Sequence, residues 1–128
     1  QILRQSPDTS MMEFVRSNVR ETDVYLIPPS LERFRLYAQA PVIVDFKTHP
    51  YKDTEVIEWY DRLQNTYRFY AAWNTPTLCE LLPEFTAKYS LSHVVQSSPQ
   101  GPSPCKNLVP IYQDQYYTVF SIHSTLKQ

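Results

Sequence analysis

Glycine is almost missing from this chain, and its scarcity excludes several kinds of nucleotide site. The 128 residues contain a single glycine. Walker loops and dinucleotide-binding fingerprints need several glycines, because only glycine lets the backbone adopt their positive φ angles and approach a phosphate closely. We therefore exclude a glycine-rich phosphate loop within these residues.

Cysteine and histidine are also scarce, which argues against a metal site. The chain has two cysteines, no C-x-x-C motif and three scattered histidines. A zinc site needs a cluster of such ligands, so we predict no metal and no cofactor. Two cysteines are too few to identify a redox compartment. We expect Cys79 to be a small residue of the core rather than the disulfide partner of Cys105.

Two further absences concern charge and long apolar runs. The net charge is −1, which gives no electrostatic reason to expect nucleic acid as a partner. No run of about 20 apolar residues is present, and no signal peptide is visible. At 128 residues the chain is long enough for one domain with its own core. Because it starts at Gln1 rather than Met, we expect residues 1–128 to be a piece of a longer protein.

The stretch Pro41–Arg62 organises the predicted fold. Pro41–Val44 is a short run of mainly β-branched apolar residues, which is typical of a central strand that is buried on both faces. Asp53 is a suitable N-cap for the helix that follows. Apolar residues recur on one side of this helix, and we expect that side to face the core: Val56, Ile57, Tyr60, Leu63 and Tyr67.

The remaining segments alternate between helical and strand patterns. Helices are predicted to begin near Ser6, Ser30 and Thr75, where a capping residue comes before a proline or an apolar face. The order favours an α/β fold with right-handed crossovers. We predict a three-layer sandwich with a mostly parallel sheet and a C-terminal antiparallel hairpin. The parallel strands are Val24–Ile27, Val42–Phe46 and His93–Gln96, and the hairpin strands are Leu108–Gln113 and Tyr116–Ile122.

Charged residues follow the Pro41 strand, at the end where α/β sheets bind ligands. Asp45 and Lys47 share one face of the strand, and Glu58 and Arg62 are a helical i,i+4 pair. The full candidate polar cluster is Arg35, Asp45, Lys47, His49, Glu58 and Arg62. It forms either a structural ion-pair network or an anion-binding site. We favour the network, because each acid can find a base, and we assign no catalytic residue.

Several of these segments resemble an uncharacterised bacterial family. Its pattern is a strand ending in two prolines, an FR pair, then VDFK, a proline and EWYxR; here these motifs are Val24–Pro29, Phe34-Arg35, Val44–Lys47, Pro50 and Glu58–Arg62. The family resembles the soluble C-terminal part of multi-pass membrane proteins that look like polyprenol-sugar-dependent GT-C glycosyltransferases. In such enzymes the catalytic carboxylates lie in the membrane portion.

The resemblance implies an accessory domain without activity of its own, on the extracytoplasmic face of a bacterial membrane. Its partner would be the membrane-embedded remainder of the parent chain, with a lipid-linked sugar or another anionic ligand nearby. Two alternatives remain open. One is a stand-alone α/β enzyme that uses Arg35, Asp45 and Lys47 with His49 or His93. The other is a protein-interaction module that uses a tyrosine-rich surface, since aromatic residues are enriched at interfaces.

Overall fold

The computed structural model describes residues 6–44, 53–103 and 105–123. Its helices are α1 (Thr9–Asn18), α2 (Phe34–Ala38), α3 (Asp53–Ala71) and α4 (Thr77–Tyr89). Its strands are β1 (Tyr25–Leu26), β2 (His93–Ser97), β3 (Leu108–Gln113) and β4 (Tyr117–Ile122). No helix within these ranges is long and apolar enough to cross a membrane. The combination of helices and strands makes this an α/β protein, as predicted. Helix α4 continues through Pro83 as one helix.

The four strands form one mixed sheet in the order β1-β2-β4-β3. The β1–β2 pairing is parallel, whereas β2–β4 and β3–β4 are antiparallel. The prediction of a mostly parallel sheet is therefore wrong for the described strands. The predicted hairpin is confirmed. Its turn contains no glycine and is held by Asp114, whose Oδ1 accepts hydrogen bonds from the backbone N–H groups of Tyr116 and Tyr117.

The Pro41 segment lies at the edge of the sheet, not at its centre. Its only described pairing is one parallel bridge from Val42 to Tyr25, with hydrogen bonds from the Tyr25 N–H to the Pro41 carbonyl and from the Ile43 N–H to the Tyr25 carbonyl. Ile43 and Val44 are nevertheless buried. The apolar run indicated burial correctly, but it did not distinguish a central strand from an edge segment covered by a helix. The rest of the predicted strand, Asp45 and Phe46, lies outside the described residues.

Apolar residues pack on both faces of the sheet in two separate clusters. Along β2, Val94 belongs to one cluster and Val95 to the other, as expected where successive side chains alternate. The Val95 cluster contains Met11, Met12 and Val15 of α1, together with Phe34 and Ala38 of α2. The Val94 cluster contains Leu63 and Phe69 of α3, together with Leu78, Leu82 and Phe85 of α4.

The buried face of α3 differs in part from the predicted one. Leu63 is buried as predicted, but Ile57, Tyr60 and Tyr67 are 70%, 58% and 44% exposed. Thr66, which was not predicted to face the core, is completely buried. Tyr70, one turn after Thr66, is held by hydrogen bonds from its hydroxyl to the carbonyls of Leu26 in β1 (3.2 Å) and Val95 in β2 (2.5 Å). The periodicity counted tyrosine as apolar, but a tyrosine hydroxyl can remain in water.

A disulfide joins Cys79 in α4 to Cys105 in the loop before β3. The expectation that Cys79 is an unpaired core residue is therefore wrong. The two Cα atoms are 5.4 Å apart although the residues are separated by 26 positions. No local motif indicates this pairing, because the packing of α4 against the sheet brings the two residues together. Cys105 is almost completely buried.

Replacing Val44 with Asp tests whether the edge segment contributes to the core. Val44 is 3% exposed, and an unpaired charge there should cost about 3–5 kcal/mol of unfolding free energy. The matched control Ile57→Asp, at an exposed position of α3, should change stability by less than about 0.5 kcal/mol. Urea unfolding of both variants measures the difference. Equal, small effects would show that Val44 is not buried.

Removing the disulfide should destabilise the domain. Closing a loop of this length lowers the entropy of the unfolded chain, by an amount worth roughly 3–4 kcal/mol in the chain-entropy model. We expect the urea midpoint to fall when the protein is reduced. The double variant Cys79→Ser/Cys105→Ser should unfold at the lower midpoint and should not respond to reductant. A reduced protein as stable as the oxidised one would contradict this prediction.

Candidate functional site

The predicted polar cluster is only partly within the described residues. Arg62 contacts Glu58 at 3.0 Å across one helical turn, and its Nη1 donates to the Ile43 carbonyl at 3.1 Å. Its guanidinium also lies 5.4 Å from the centre of the Tyr89 ring. These contacts hold α3 and α4 against the edge segment. Since the Glu58–Arg62 pair is largely exposed, the pair itself adds only about 0.3–0.5 kcal/mol.

Of the other four members of the cluster, only Arg35 lies within the described residues. Asp45, Lys47 and His49 lie outside the described residues. Arg35 is exposed on α2, whose buried residues belong to the cluster that α1 completes, whereas α3 packs into the opposite cluster. The assignment of these six residues to one site therefore stays a prediction.

A different group of polar side chains surrounds a cleft where β1 and β2 begin. We call it the amino-end cleft, and its volume is about 430 Å³. Asp23 comes just before β1, and His93 pairs with Tyr25 as the first residue of β2. Parallel pairing places the starts of the two strands side by side, which brings Asp23 close to His93. The lining includes Arg20, Asp23, Ser92 and His93 on its polar side and Phe14, Ile111 and Ile122 on its apolar side.

Ser92 is fully engaged with the backbone and with the neighbouring imidazole. Its hydroxyl accepts the Val24 N–H at 2.9 Å, donates to the Val24 carbonyl at 3.1 Å, and lies 2.7 Å from His93 Nδ1. A hydroxyl has one proton and two acceptor sites. Because the Ser92 proton is used in the bond to the Val24 carbonyl, the contact with His93 is a hydrogen bond only when Nδ1 is protonated and donates to the Ser92 oxygen. The nitrogen that remains for a ligand is Nε2.

Asp23 lies behind the imidazole and holds the turn that leads into β1. Its Oδ2 accepts the backbone N–H of Arg20 at 2.8 Å, and the Asp23 N–H donates to the Arg20 carbonyl. Its Oδ1 is 4.0 Å from His93 Nδ1, which is too long for a hydrogen bond. Asp23 is 7% exposed. A nearly buried carboxylate therefore faces an imidazole without bonding to it.

Burial lowers the pKa of the His93 imidazole below its ordinary value, Asp23 raises it, and Arg20 lowers it further. The net result is a lower pKa, so His93 is neutral at pH 7. The ring stacks on Tyr25 with 4.6 Å between centroids. Burial, with a further contribution from Asp23, raises the pKa of the Tyr25 phenol, so Tyr25 adds no charge to the cleft.

This geometry does not form a serine–histidine–aspartate relay. In such a relay the serine contacts one imidazole nitrogen and the acid contacts the other. Here Ser92 and Asp23 both approach Nδ1, and the Ser92 hydroxyl is tied to Val24. The arrangement can position and bind a polar ligand, but it cannot activate Ser92 as a nucleophile through His93.

A second cleft, of about 350 Å³, lies where β1 and β2 end. Its lining includes Pro28, Pro29, Tyr67, Tyr70 and Gln96 and carries no charged side chain among the described residues. This is the edge where a ligand is expected in an α/β sheet. Arg20, Asp23 and His93, however, line the cleft at the opposite ends of these strands. We therefore take the amino-end cleft as the candidate site.

Two short sequence signals could have indicated this site. Each buried strand follows polar residues, with Asp23 before Val24-Tyr25-Leu26 and Ser92-His93 before Val94-Val95. Parallel pairing would bring both signals to one edge. His93 is a candidate catalytic residue in the sequence-based alternative of a stand-alone enzyme, whereas Asp23, Arg20 and Ser92 are not among the predicted site residues.

Comparison with known proteins gives a partial match without a function. The sequence model of a family described as a domain of unknown function (DUF6798) matches residues 7–66, slightly less than half of the chain. The matched part contains Arg20, Asp23, Glu58 and Arg62 but not Ser92 or His93. No curated protein matches the chain.

The electrostatics of the cleft give a testable pH dependence. NMR titration of His93 should yield a pKa below 6.5. Asp23→Asn should lower the value further and Arg20→Gln should raise it, because the carboxylate favours the imidazolium and the guanidinium disfavours it. The unfolded chain then binds more protons at His93 than the folded chain. Stability should therefore fall as pH decreases from above 6.5 through the folded pKa. A His93 pKa at or above 6.5 would contradict the burial argument.

Proposed function

We propose that this chain is an extracytoplasmic accessory domain of a multi-pass, glycosyltransferase-like membrane protein, and that it binds a ligand without catalysis of its own. The observation that carries the proposed location is the disulfide between Cys79 and Cys105. Structural disulfides persist in oxidising compartments and are rare in the cytosol. The location agrees with the resemblance of the VDFK and EWYxR motifs to soluble domains of such proteins.

The absence of a relay in the amino-end cleft supports a binding role. Ser92 and Asp23 share one imidazole nitrogen, so proton transfer from Ser92 to His93 would not be assisted by the acid. The cleft still offers His93 Nε2 and the Asp23 carboxylate to a ligand. By the same reasoning, the stand-alone enzyme is the less favoured alternative among the described residues.

An interaction module is the second candidate, and one observation favours it. Ile57, Tyr60 and Tyr67 follow one another along one side of α3 and remain exposed. Large exposed apolar side chains on a single helix face are typical of contact surfaces. Sedimentation of the purified chain over a range of concentrations would detect self-association, and Tyr60→Glu should abolish it if this face is responsible.

We also infer that the whole chain forms three layers, with α1 and α2 on one face of the sheet and α3 and α4 on the other. The support for this inference is the division of the buried side chains. Tyr25, Ile27, Val95 and Val119 belong to one cluster, and Leu26, Val94 and Phe120 belong to the other. Adjacent strand residues thus point into different cores, each of which includes helices.

The proposed location can be tested by trapping thiols in intact cells that produce the parent protein. Rapid acid quenching followed by alkylation with a large maleimide should leave Cys79 and Cys105 unmodified, because they are already paired. Cys79→Ser is the control and should gain one adduct at Cys105. Two adducts on the wild-type domain would show a reducing compartment. A parent sequence without several apolar spans would also contradict the proposal.

A further inference from the structure

Asp23 presents a nearly buried negative charge that lacks a cationic partner. Its side chain is 9% exposed, and no lysine or arginine side chain among the described residues forms an ion pair with it. Oδ2 is occupied by the Arg20 amide, while Oδ1 has no described hydrogen bond. No fully buried side-chain oxygen in the described structure lacks a partner, so Oδ1 keeps some exposed surface, and Asp23 is one of the residues that line the cleft. A carboxylate in this position is stabilised by a positive charge.

His93 does not supply that charge at neutral pH. Its Nδ1 lies 4.0 Å from Asp23 Oδ1 and contacts Ser92 instead. Burial keeps the imidazole neutral, because its pKa is lowered. The other ring near this position, Tyr25, is also neutral. The base of the cleft therefore carries one uncompensated negative charge.

The rim of the same cleft carries the opposite charge. The Arg20 side chain lines the cleft and is exposed. It forms no ion pair within the described part of the chain, although its backbone N–H bonds to Asp23. A free guanidinium is well suited to a carboxylate or phosphate, to which it donates two parallel hydrogen bonds. Asp23 and Arg20 thus line the same cleft without forming an ion pair with each other.

The remaining wall of the cleft is apolar. Phe14 stacks on Tyr112 with ring centroids 4.9 Å apart, which fixes the ring in place. Ile111 and Ile122 complete this wall. The volume of about 430 Å³ falls within the usual range for small-molecule sites. The cleft thus offers an anion at its base, a cation at its rim and an apolar surface between strands and α1.

We propose that the amino-end cleft binds a small zwitterion, with a primary ammonium group on Asp23 and a carboxylate or phosphate group on Arg20. An ammonium group has three donors, one of which would bond Asp23 Oδ1. An amino acid with an apolar side chain and a phosphoethanolamine head group both have this chemistry. The inference deepens the proposed binding function, but it does not depend on the compartment in which the domain lies.

The test is an NMR titration of the 128-residue chain with leucine, isoamylamine, 4-methylpentanoate and phosphoethanolamine. The second and third probes are leucine without its carboxylate and leucine without its amine. We expect saturable shifts at Arg20, Asp23 and His93 in the millimolar range. A zwitterion should bind at least about tenfold more tightly than either single-charge probe, because each charge-assisted contact contributes about one decade in affinity.

Two variants test which charged group of the ligand Asp23 binds and which Arg20 binds. Asp23→Asn keeps an acceptor for the Arg20 amide but removes the negative charge, so it should weaken binding of leucine, isoamylamine and phosphoethanolamine while leaving binding of 4-methylpentanoate unchanged. Arg20→Gln, at an exposed position, should weaken binding of leucine, 4-methylpentanoate and phosphoethanolamine but not of isoamylamine. If Asp23→Asn does not fold, the Arg20→Gln comparison still decides. Leu36→Gln, on the exposed side of α2, is the control and should bind as wild type does.

The results of the titration distinguish a free amino acid from a lipid head group as the ligand, and they test the ligand proposal separately from the proposed compartment. Tighter binding of leucine supports a free amino acid, and tighter binding of phosphoethanolamine supports a lipid head group. No saturable shift with either zwitterion, or equal affinity for leucine and its two single-charge analogues, would overturn the inference. Because the titration uses the purified chain, its failure is distinct from a failure of the thiol-trapping experiment, which concerns the compartment alone.

Discussion

Burial of β2 on both faces is the constraint on which the rest of the structure depends. Val94 and Val95 are both completely buried, yet they belong to different clusters. A strand of this kind requires apolar side chains from other elements against each of its faces. It also requires a partner along each edge, which β1 provides in the parallel direction and β4 in the antiparallel direction. The hydroxyl of Tyr70 bonds to carbonyls of both β1 and β2, so α3 fastens the parallel pair.

The same constraint explains where polar chemistry is available. Side chains in the middle of β2 are enclosed, and only residues at its ends can reach solvent. At the start of β2, Ser92 and His93 meet Asp23 from the segment before β1. The carboxylate is nearly buried, and its Oδ2 accepts the Arg20 N–H in the turn before β1. The unpaired charge is thus a consequence of how the chain enters β1, and the proposed ligand would supply the missing partner.

The disulfide has a structural role that complements the edge segment. It links α4, whose Tyr89 ring lies against Arg62 of α3, to the loop before β3, which is the last strand in the sheet order. The edge segment lacks extended pairing and depends on burial of Ile43 and Val44 and on the bond from Arg62. A cross-link of this kind can supply a large fraction of the free energy of unfolding, because the net stability of a single domain is small.

The sequence by itself determined the type and approximate extent of nearly every described element. The Ser6-Pro7 and Thr75-Pro76 pairs lie just before the starts of α1 and α4, and short β-branched runs located β1 and β2, because these are local properties of the chain. Only the tertiary structure decided that Pro41–Val44 lies at an edge, that α3 turns Tyr60 and Tyr67 outward, and that Cys79 meets Cys105. It alone brought Arg20 and Asp23 to Ser92 and His93. Each of these outcomes depends on which distant segments become neighbours, and periodicity and propensity carry no information about that choice.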